Sequence, residues 1–211
     1  MSASVASVEH ADRYDPSTAL IVVDVQNDFA DPDGSLWVAG AAEIIPRIND
    51  AIATARAAGG TVVLTQDWHP ESTPHFQKDG GIWPVHCVAD TWGAELHPAL
   101  EAPEGTPVVR KGSNGEDGYS AFTMRDPRSG SHVPTLLTPL LESAGITDVV
   151  VIGLATDYCV KATALDAMRL GYVTTVLTDA VAACEIRHGD GEAALEEMRN
   201  AGALVTSSRP R

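Results

Sequence analysis

Short apolar runs rich in β-branched residues alternate with helical patterns along most of this chain. Six runs are typical of strands and cover residues 19–25, 61–66, 107–110, 148–153, 173–178 and 203–207. Helical patterns cover residues 41–58, 93–100, 133–144, 159–170 and 191–201, and several of them end at a glycine. Strands that are near-continuously apolar are buried on both faces. The alternation therefore predicts one three-layer α/β/α domain with a six-stranded parallel sheet.

The length and composition of the chain fit this single-domain prediction. Of its 211 residues, 44% are hydrophobic, which is enough to bury one full core. Residues 1–17 are polar and lack periodicity, so we expect a flexible N-terminal tail there and a single domain over residues 18–211. Residues 67–91 show neither a strand nor a long helical pattern, and a loop of that length inside a compact domain is usually functional.

The net charge and the absence of targeting patterns limit the partners and the location of the protein. A formal net charge of −15 repels nucleic acid phosphates and anionic lipids, so we expect no nucleic acid and no membrane partner. No apolar run approaches the roughly 20 residues that span a bilayer. The first residues lack the cationic and apolar pattern of a secretory signal. Three scattered cysteines do not make a disulfide framework, so we expect a cytoplasmic location.

Four of the predicted strands end in titratable side chains. Asp24 ends the first strand, Asp67 and His69 follow the second, Lys111 follows the third and Cys159 follows the fourth. In an open parallel sheet, ligands bind at the carboxyl ends of the strands. Each of these residues alone has an ordinary structural explanation. Four such coincidences at one edge of the sheet indicate an active site.

Cys159 is the candidate nucleophile, although a lone free cysteine is more often buried and inert. A cysteine attacks as a thiolate, and the N-terminus of a helix beginning at Cys159 would lower its pKa. Asp24 could take the thiol proton and later return it to a leaving group. Lys111 would keep the carboxylate of Asp24 ionised. Backbone N–H groups at the start of the helix could bind an oxyanion.

A second group of residues has the composition of a metal site. Asp67 and His69 are two positions apart at the end of an extended strand, so they lie on one side of it. His75 and His86 follow within the long loop. One carboxylate with two or three imidazoles suits Zn²⁺, Fe²⁺ or Mn²⁺. The alternative is that the loop histidines are simply solvated, because Asp-x-His alone is a weak motif.

Five stretches follow one another in a characteristic order, and they read ALIVVDVQNDF, TQDWHPESTPHF, WPVHC, RKG and GLATDYCVKATALDA. In these stretches the chain resembles the nicotinamidases (pyrazinamidases) of the isochorismatase-like cysteine hydrolase superfamily. The resemblance extends from about residue 19 to residue 207. It implies an isochorismatase-like hydrolase domain with a six-stranded parallel sheet. It also implies that the chain deamidates nicotinamide, and pyrazinamide as well, to the acid and ammonia through a thioester, as a step of NAD salvage.

The resemblance assigns a role to individual residues of this chain. The implied catalytic residues are Asp24, Lys111 and Cys159. The implied metal ligands are Asp67, His69 and His86, with His75 as a fourth ligand found in some members. The bond between Leu154 and Ala155 matches the cis peptide of the family, and the N–H groups of Ala155 and Cys159 would form the oxyanion hole. The residues implied at the ring pocket are Phe29, Trp83, Tyr119, Leu154 and Tyr158.

The resemblance also implies a cofactor and leaves alternatives open. The cofactor is one divalent metal ion, with Zn²⁺ expected ahead of Fe²⁺ or Mn²⁺. Members of the family often assemble, which leaves a homo-oligomer open. One alternative is a related amidase acting on an N-carbamoyl or ureido substrate, but the metal cluster favours a pyridine ring. Another is a non-catalytic metal-binding or small-molecule-binding module, against which the complete Asp, Lys and Cys set argues.

Overall fold

The fold is built on a parallel β-sheet, seen in a computed structural model that describes residues 13–208. In chain order the elements are β1 (Thr18–Val23), α1 (Asn27–Ala30), α2 (Ala41–Ala57), β2 (Thr61–Asp67), β3 (Val108–Lys111), β4 (Thr123–Arg125), β5 (His132–Pro134), α3 (Leu137–Ser143), β6 (Asp148–Leu154), α4 (Lys161–Arg169), β7 (Val173–Ala182), α5 (Asp190–Ala201) and β8 (Leu204–Thr206). Six strands form the main sheet in the order β3-β2-β1-β6-β7-β8. Every neighbouring pair is parallel, which confirms the predicted sheet.

Side chains of the central strands alternate between two separate cores. In β1, Leu20 and Val22 lie in one core, while Ile21 and Val23 lie in the other. Helices α1 and α2 contribute buried side chains to the first core, and α3, α4 and α5 contribute to the second. Both faces of the sheet are therefore covered. This arrangement explains why its strands are apolar without interruption and confirms the three-layer architecture.

One face of α2 supplies most of the apolar cover on the first side of the sheet. Its buried residues recur every three or four positions and include Ile44, Ile48, Ile52 and Ala55. That spacing places them on a single stripe, as in an amphipathic helix. Full burial of each large aliphatic side chain contributes about 1.5–3 kcal/mol to folding. The stripe therefore anchors α2 across the strands β1, β6 and β7 that it contacts.

Three helical predictions differ from the structure. Residues 93–100 hold only a single 3₁₀ turn, Trp92–Ala94, because Pro98 disfavours helix for the residue before it. The helix predicted over residues 133–144 begins instead at Leu137, since Pro134 keeps Val133 extended in the antiparallel β4–β5 pair. The helix predicted to start at Cys159 is preceded by a π-helical turn, Thr156–Val160, so Cys159 lies inside that turn.

The tail predicted over residues 1–17 includes residues that pack with the folded domain. Tyr14 is 6% exposed and packs in the same core as α2. Asp15 caps the next turn by accepting hydrogen bonds from the backbone and hydroxyl of Ser17, at 2.8 and 2.7 Å. Residues 1–12, also assigned to the tail, lie outside the described residues. No helix within residues 13–208 combines the length and the hydrophobicity that crossing a membrane requires.

Candidate active site

Lys111 joins the strand-end side chains at the carboxyl edge of the sheet. Its Nζ lies 2.7 Å from Asp24 Oδ2, 2.8 Å from Asp67 Oδ1 and 3.5 Å from Cys159 Sγ. Strand pairing explains part of this arrangement, because Asp67 and Lys111 are direct partners in the β2–β3 register. Each of the four side chains comes from a different strand end. The structure therefore brings together the residues that the sequence placed at one edge.

Asp24 is held in place by Thr65, which the sequence analysis did not single out. The Thr65 hydroxyl donates to Asp24 Oδ1 at 2.5 Å and accepts from the Asp24 backbone N–H at 3.1 Å. Asp24 adopts a left-handed backbone conformation, with φ of 48°. The turn is closed by the N–H of Gln26, which donates to the Asp24 carbonyl at 2.8 Å. This turn therefore ends the first strand and points the Asp24 carboxylate at Lys111.

Burial and mutual attraction set the charges of this cluster. Burial raises the pKa of Asp24, and the opposing effect of Lys111 does not cancel that rise. Burial also acts to raise the pKa of Asp67, but Lys111 and His69 outweigh it and hold that pKa well below its usual value. Burial opposes the charge of Lys111, yet Asp24 and Asp67 raise its pKa well above the ordinary value. Asp67 and Lys111 are therefore a firmly ionised pair, and Asp24 is the carboxylate better suited to accept a proton.

Cys159 is a thiol at rest in this environment. Burial raises its pKa well above the ordinary value, Lys111 opposes that rise, and Asp24 and Asp67 add to it. The sequence predicts that a helix beginning at Cys159 lowers this pKa, but α4 begins at Lys161 and the net shift of the buried thiol is upward. An Asp24 carboxylate oxygen lies within 4.8 Å of the Cys159 sulfur. Asp24 is therefore close enough to be the base that takes the thiol proton.

The three loop histidines converge next to Asp67. One ring nitrogen from each of His69, His75 and His86 lies within 4.8 Å of the others. Asp67 Oδ2 lies 3.8 Å from His69 Nε2 and 4.0 Å from His86 Nε2. Because Lys111 engages the other carboxylate oxygen of Asp67, Oδ2 is left to face the imidazoles. A carboxylate oxygen and three imidazole nitrogens form a donor set that suits a divalent transition metal.

The chemistry of the histidines fits a bound cation. His69 is 2% exposed, and both of its buried ring nitrogens lack a hydrogen-bond partner among the described residues. Buried polar atoms without a partner are costly, and a metal ion would satisfy one of these nitrogens. His86 Nδ1 lies 2.7 Å from the Pro84 carbonyl, which leaves Nε2 for a ligand. Burial lowers the pKa of His86 to about 4, so its imidazole is neutral and able to coordinate.

Two further residues position the candidate metal ligands, and the sequence analysis did not identify either. The Gln26 side-chain amide donates to the Asp67 carbonyl at 2.7 Å and accepts from the Asp67 N–H at 2.8 Å. Gly112 packs closely against the His69 ring. It has φ of 77°, and a Cβ added at this position would lie 2.6 Å from His69 Nδ1. Gln26 lies in the stretch ALIVVDVQNDF. Its role is not visible there, because its partner Asp67 is 41 positions away.

One cavity opens onto the Cys159 sulfur and onto two of the three histidines, His75 and His86. Its walls include every residue implied at the ring pocket, namely Phe29, Trp83, Tyr119, Leu154 and Tyr158. Cys159, Ala155, His75 and His86 also line it, together with Leu36 and Cys184, which the sequence analysis did not assign to the site. The bond between Leu154 and Ala155 is cis.

The aromatic walls of this cavity support one another. Trp83 Nε1 donates to the Tyr119 hydroxyl at 3.0 Å. The Trp83 and Tyr158 rings meet edge to face, with centroids 4.8 Å apart. Such pairs hold aromatic planes at fixed angles. The cavity therefore offers flat apolar walls beside a reactive thiol and a group of imidazoles.

Comparison with known proteins agrees with this geometry. Residues 18–210 match the isochorismatase domain family. A nicotinamidase of Acinetobacter baylyi is 40% identical over 208 residues, covering 90% of this chain and 92% of that protein. A solved pyrazinamidase of Pyrococcus horikoshii in complex with zinc has a TM-score of 0.81 and 39% identity, covering 91% of this chain and 99% of that one.

A second solved structure extends the comparison to a ligand of the pyridine class. PnC1 from L. infantum, in complex with nicotinate, has a TM-score of 0.83 and 37% identity, covering 92% of this chain and 95% of that one. These likenesses run over nearly the whole described fold. The chain therefore belongs to the isochorismatase domain family and is a relative of the nicotinamidases within it.

Proposed function

We propose that this chain is a metal-dependent amidohydrolase that converts nicotinamide to nicotinate and ammonia, and accepts pyrazinamide. One observation carries the proposal: Cys159 and the candidate metal ligands Asp67, His75 and His86 line a single aromatic cavity. The related nicotinamidase of Acinetobacter baylyi and the nicotinate complex of the L. infantum protein support this choice of substrate. Release of nicotinate from nicotinamide is the type of step that returns a pyridine ring to NAD synthesis.

The first half of the reaction forms a thioester. Asp24 accepts the proton of the Cys159 thiol, and the sulfur attacks the carboxamide carbon of the substrate. The backbone N–H groups of Ala155 and Cys159 then donate to the oxygen as it gains negative charge. Asp24 returns the proton to the nitrogen, the C–N bond breaks and ammonia leaves. Lys111 stays charged throughout and stabilises the Asp24 carboxylate whenever it is ionised.

The second half regenerates the enzyme with one water molecule. The oxygen of the water molecule attacks the thioester carbon, and Asp24 accepts a proton from that water. The C–S bond breaks, Asp24 gives the proton back to Cys159, and the nicotinic acid that forms loses its own proton to solvent and leaves as nicotinate. The same carboxylate thus serves as base and acid in both halves. That double use fits a pKa raised by burial and restrained by Lys111.

The histidine cluster gives the proposal its metal. Asp67, His69, His86 and His75 would hold one divalent ion, with Zn²⁺ favoured by the donor set and by the zinc complex of the Pyrococcus horikoshii protein. When bound, the ion supplies a Lewis acid that a ring nitrogen or a water molecule can coordinate. Trp83, Tyr119 and Phe29 would hold the flat ring so that its amide carbon faces Cys159.

The composition of the cavity argues against an N-carbamoyl or ureido acid. Those substrates carry a carboxylate, which a binding site commonly meets with arginine or lysine. Among the described residues, no arginine or lysine lines the cavity. A neutral aromatic amide fits this surface better.

An ammonia-release screen with the metal-loaded protein tests the proposal. Nicotinamide and pyrazinamide should be hydrolysed, whereas N-carbamoylsarcosine and ureidoacrylate should not. Benzamide is the matched control, because it has the same amide and ring shape but no ring nitrogen, and it should be a much poorer substrate. Preference for a ureido or N-carbamoyl compound over nicotinamide would refute the assignment. The expected cytoplasmic location and the homo-oligomer stay predictions.

A further inference from the structure

The His75 ring is held by a carboxylate outside the expected ligand set. His75 Nδ1 lies 2.7 Å from Asp117 Oδ1, and Asp117 stands on the loop between β3 and β4. The Gly118 N–H donates to the same oxygen at 2.9 Å. The Asp117 backbone is in turn paired with Arg125 of β4, and its N–H donates to the Arg125 carbonyl at 2.7 Å. The position of Asp117 is therefore set by the hairpin and does not depend on His75.

The chemistry of this contact settles which nitrogen of His75 is available. An ionised carboxylate can only accept hydrogen bonds, so Nδ1 of His75 is the donor and Nε2 keeps its lone pair. The His75 ring stacks on His69, with centroids 4.8 Å apart and planes inclined by 24°. His86 Nδ1 instead donates to a backbone carbonyl, that of Pro84. Each cluster histidine has one ring nitrogen that faces away from the other two rings. Within residues 13–208, His75 is the only one of the three whose outward nitrogen contacts a carboxylate.

His75 needs such a support because its own segment is irregular. Residues 70–86 contain one short 3₁₀ turn, Gln77–Asp79, and no strand or α-helix. The segment is tied to the β3–β4 loop by two side-chain bonds. One joins His75 to Asp117, and the other joins Trp83 to Tyr119 at 3.0 Å. Only the first of these bonds acts directly on a proposed metal ligand.

We propose that Asp117 is a positioning residue that fixes His75 as the fourth protein ligand of the metal. The proposal rests on the metal site of the proposed function and not on nicotinamide as its substrate. A carboxylate behind a coordinating histidine fixes the tautomer and the ring orientation and makes the imidazole a stronger base. Removing such a partner typically weakens metal binding by about 10–100-fold. Without Asp117, His75 no longer holds its position, and more than one water molecule can enter the coordination shell in its place.

Cobalt substitution of the full chain tests this role without an activity assay. Co²⁺ absorbs visible light less intensely when water raises its coordination number to six. The D117A variant should therefore lose absorption intensity, and its Kd for Co²⁺, measured against a competing chelator, should rise about 10–100-fold. H75A should show the same loss. The H75A/D117A double variant should show no further loss, because both changes remove one ligand.

Two more variants separate positioning from charge and from folding. E116Q removes one negative charge from the neighbouring residue, which bonds Asn114 rather than His75, and it should keep the wild-type spectrum and affinity. D117N keeps the shape and an acceptor oxygen, so it should fall between wild type and D117A, and it carries the test if D117A does not fold. The role would be overturned by a wild-type spectrum and Kd in D117A. Additive losses in the double variant, or an equal loss in E116Q, would overturn it as well. Neither readout uses nicotinamide, so a failed ammonia assay and a failed role for Asp117 are distinguishable.

Discussion

Lys111 is the residue on which the charge distribution of the site depends. It is 1% exposed and bonds two buried carboxylates, one from the catalytic cluster and one from the metal cluster. A buried charge left without its partner typically costs about 3–5 kcal/mol. Lys111 therefore holds Asp67 ionised, and it opposes the rise in the pKa of Asp24 that burial causes.

Thr65 provides the first prediction at this scale. Its hydroxyl bond lowers the pKa of Asp24, so T65V should raise that pKa further. Asp24 must be ionised to accept the Cys159 proton, and a higher pKa means that it becomes ionised only at higher pH. The acid limb of the kcat/KM profile for nicotinamide should therefore move to higher pH. The lost bonds should also reduce stability by about 1–3 kcal/mol.

The control for T65V is T163V, which removes another buried hydroxyl, one that bonds Ala121 rather than Asp24. Thr163 accepts a hydrogen bond from the Ala121 N–H at 2.9 Å, so its loss should also reduce stability. It should leave the acid limb unchanged. An unshifted acid limb in T65V would show that Thr65 does not tune Asp24.

Residues that act through a distant partner could not be predicted from the sequence. Asp24, Lys111 and Cys159 were found because each follows an apolar strand and has a reactive side chain. Thr65 and Gln26 act through bonds to residues 41 positions away. Cys184, two residues after β7, was not assigned to the site, yet it lines the cavity because β7 runs beside β6. Only the folded arrangement reveals these contacts.

At the scale of elements, the contact between β1 and β6 sets the distance between Asp24 and Cys159. Val23 and Gly153 are direct partners in this pair, one residue before Asp24 and six before Cys159. Gly153 has φ of 110°, and a Cβ there would lie 2.2 Å from the Val23 carbonyl oxygen. The strands can approach this closely only because Gly153 has no side chain.

G153A should therefore destabilise the protein strongly. The clash is with backbone in the centre of the sheet, and the positive φ adds strain, so the expected loss is about 3 kcal/mol or more. Chemical denaturation measures it. G145A is the matched control, because Gly145 has φ of 68° but no atom within 4 Å of an added Cβ. It should lose only about 1–2 kcal/mol. Equal losses in the two variants would contradict the close-approach explanation.

Strand and helix types were more predictable than their junctions. All six strands of the main sheet were identified, because buried parallel strands have a strong apolar signal. The π-helical turn at Thr156–Val160 and the β4–β5 ribbon were missed. Both are short, and neither has an apolar period of its own. Their conformations depend on packing against the sheet and on the proline at the end of β5.

At the scale of the whole molecule, the parallel topology gathers residues from positions 24 to 159 into one site. Three of the proposed metal ligands lie in a long loop with little regular structure, so metal binding should stabilise the folded protein as a whole. When the free concentration of a ligand is 100 times its Kd and the ligand binds only the native state, it adds about 2.7 kcal/mol to the free energy of unfolding. For a chain of this size that corresponds to a rise in Tm of about 5–10 °C.

Thermal unfolding with and without Zn²⁺ measures this effect. H69A should lose most of the rise in Tm, because His69 has no other partner for its buried ring nitrogens among the described residues. H97A is the control, since His97 pairs with Asp31 outside the cluster and should keep the full rise. A rise of the same size in H69A would place the stabilising ion elsewhere.

The covalent role of Cys159 is the central claim, and C159A tests it most directly. The measurement is ammonia release from nicotinamide by the metal-loaded variant, with binding of nicotinamide followed by calorimetry in the same sample. Without the sulfur no thioester can form, while the aromatic walls and the metal ligands remain. We predict that C159A still binds nicotinamide and releases no ammonia above background. Substantial turnover by C159A would contradict the account.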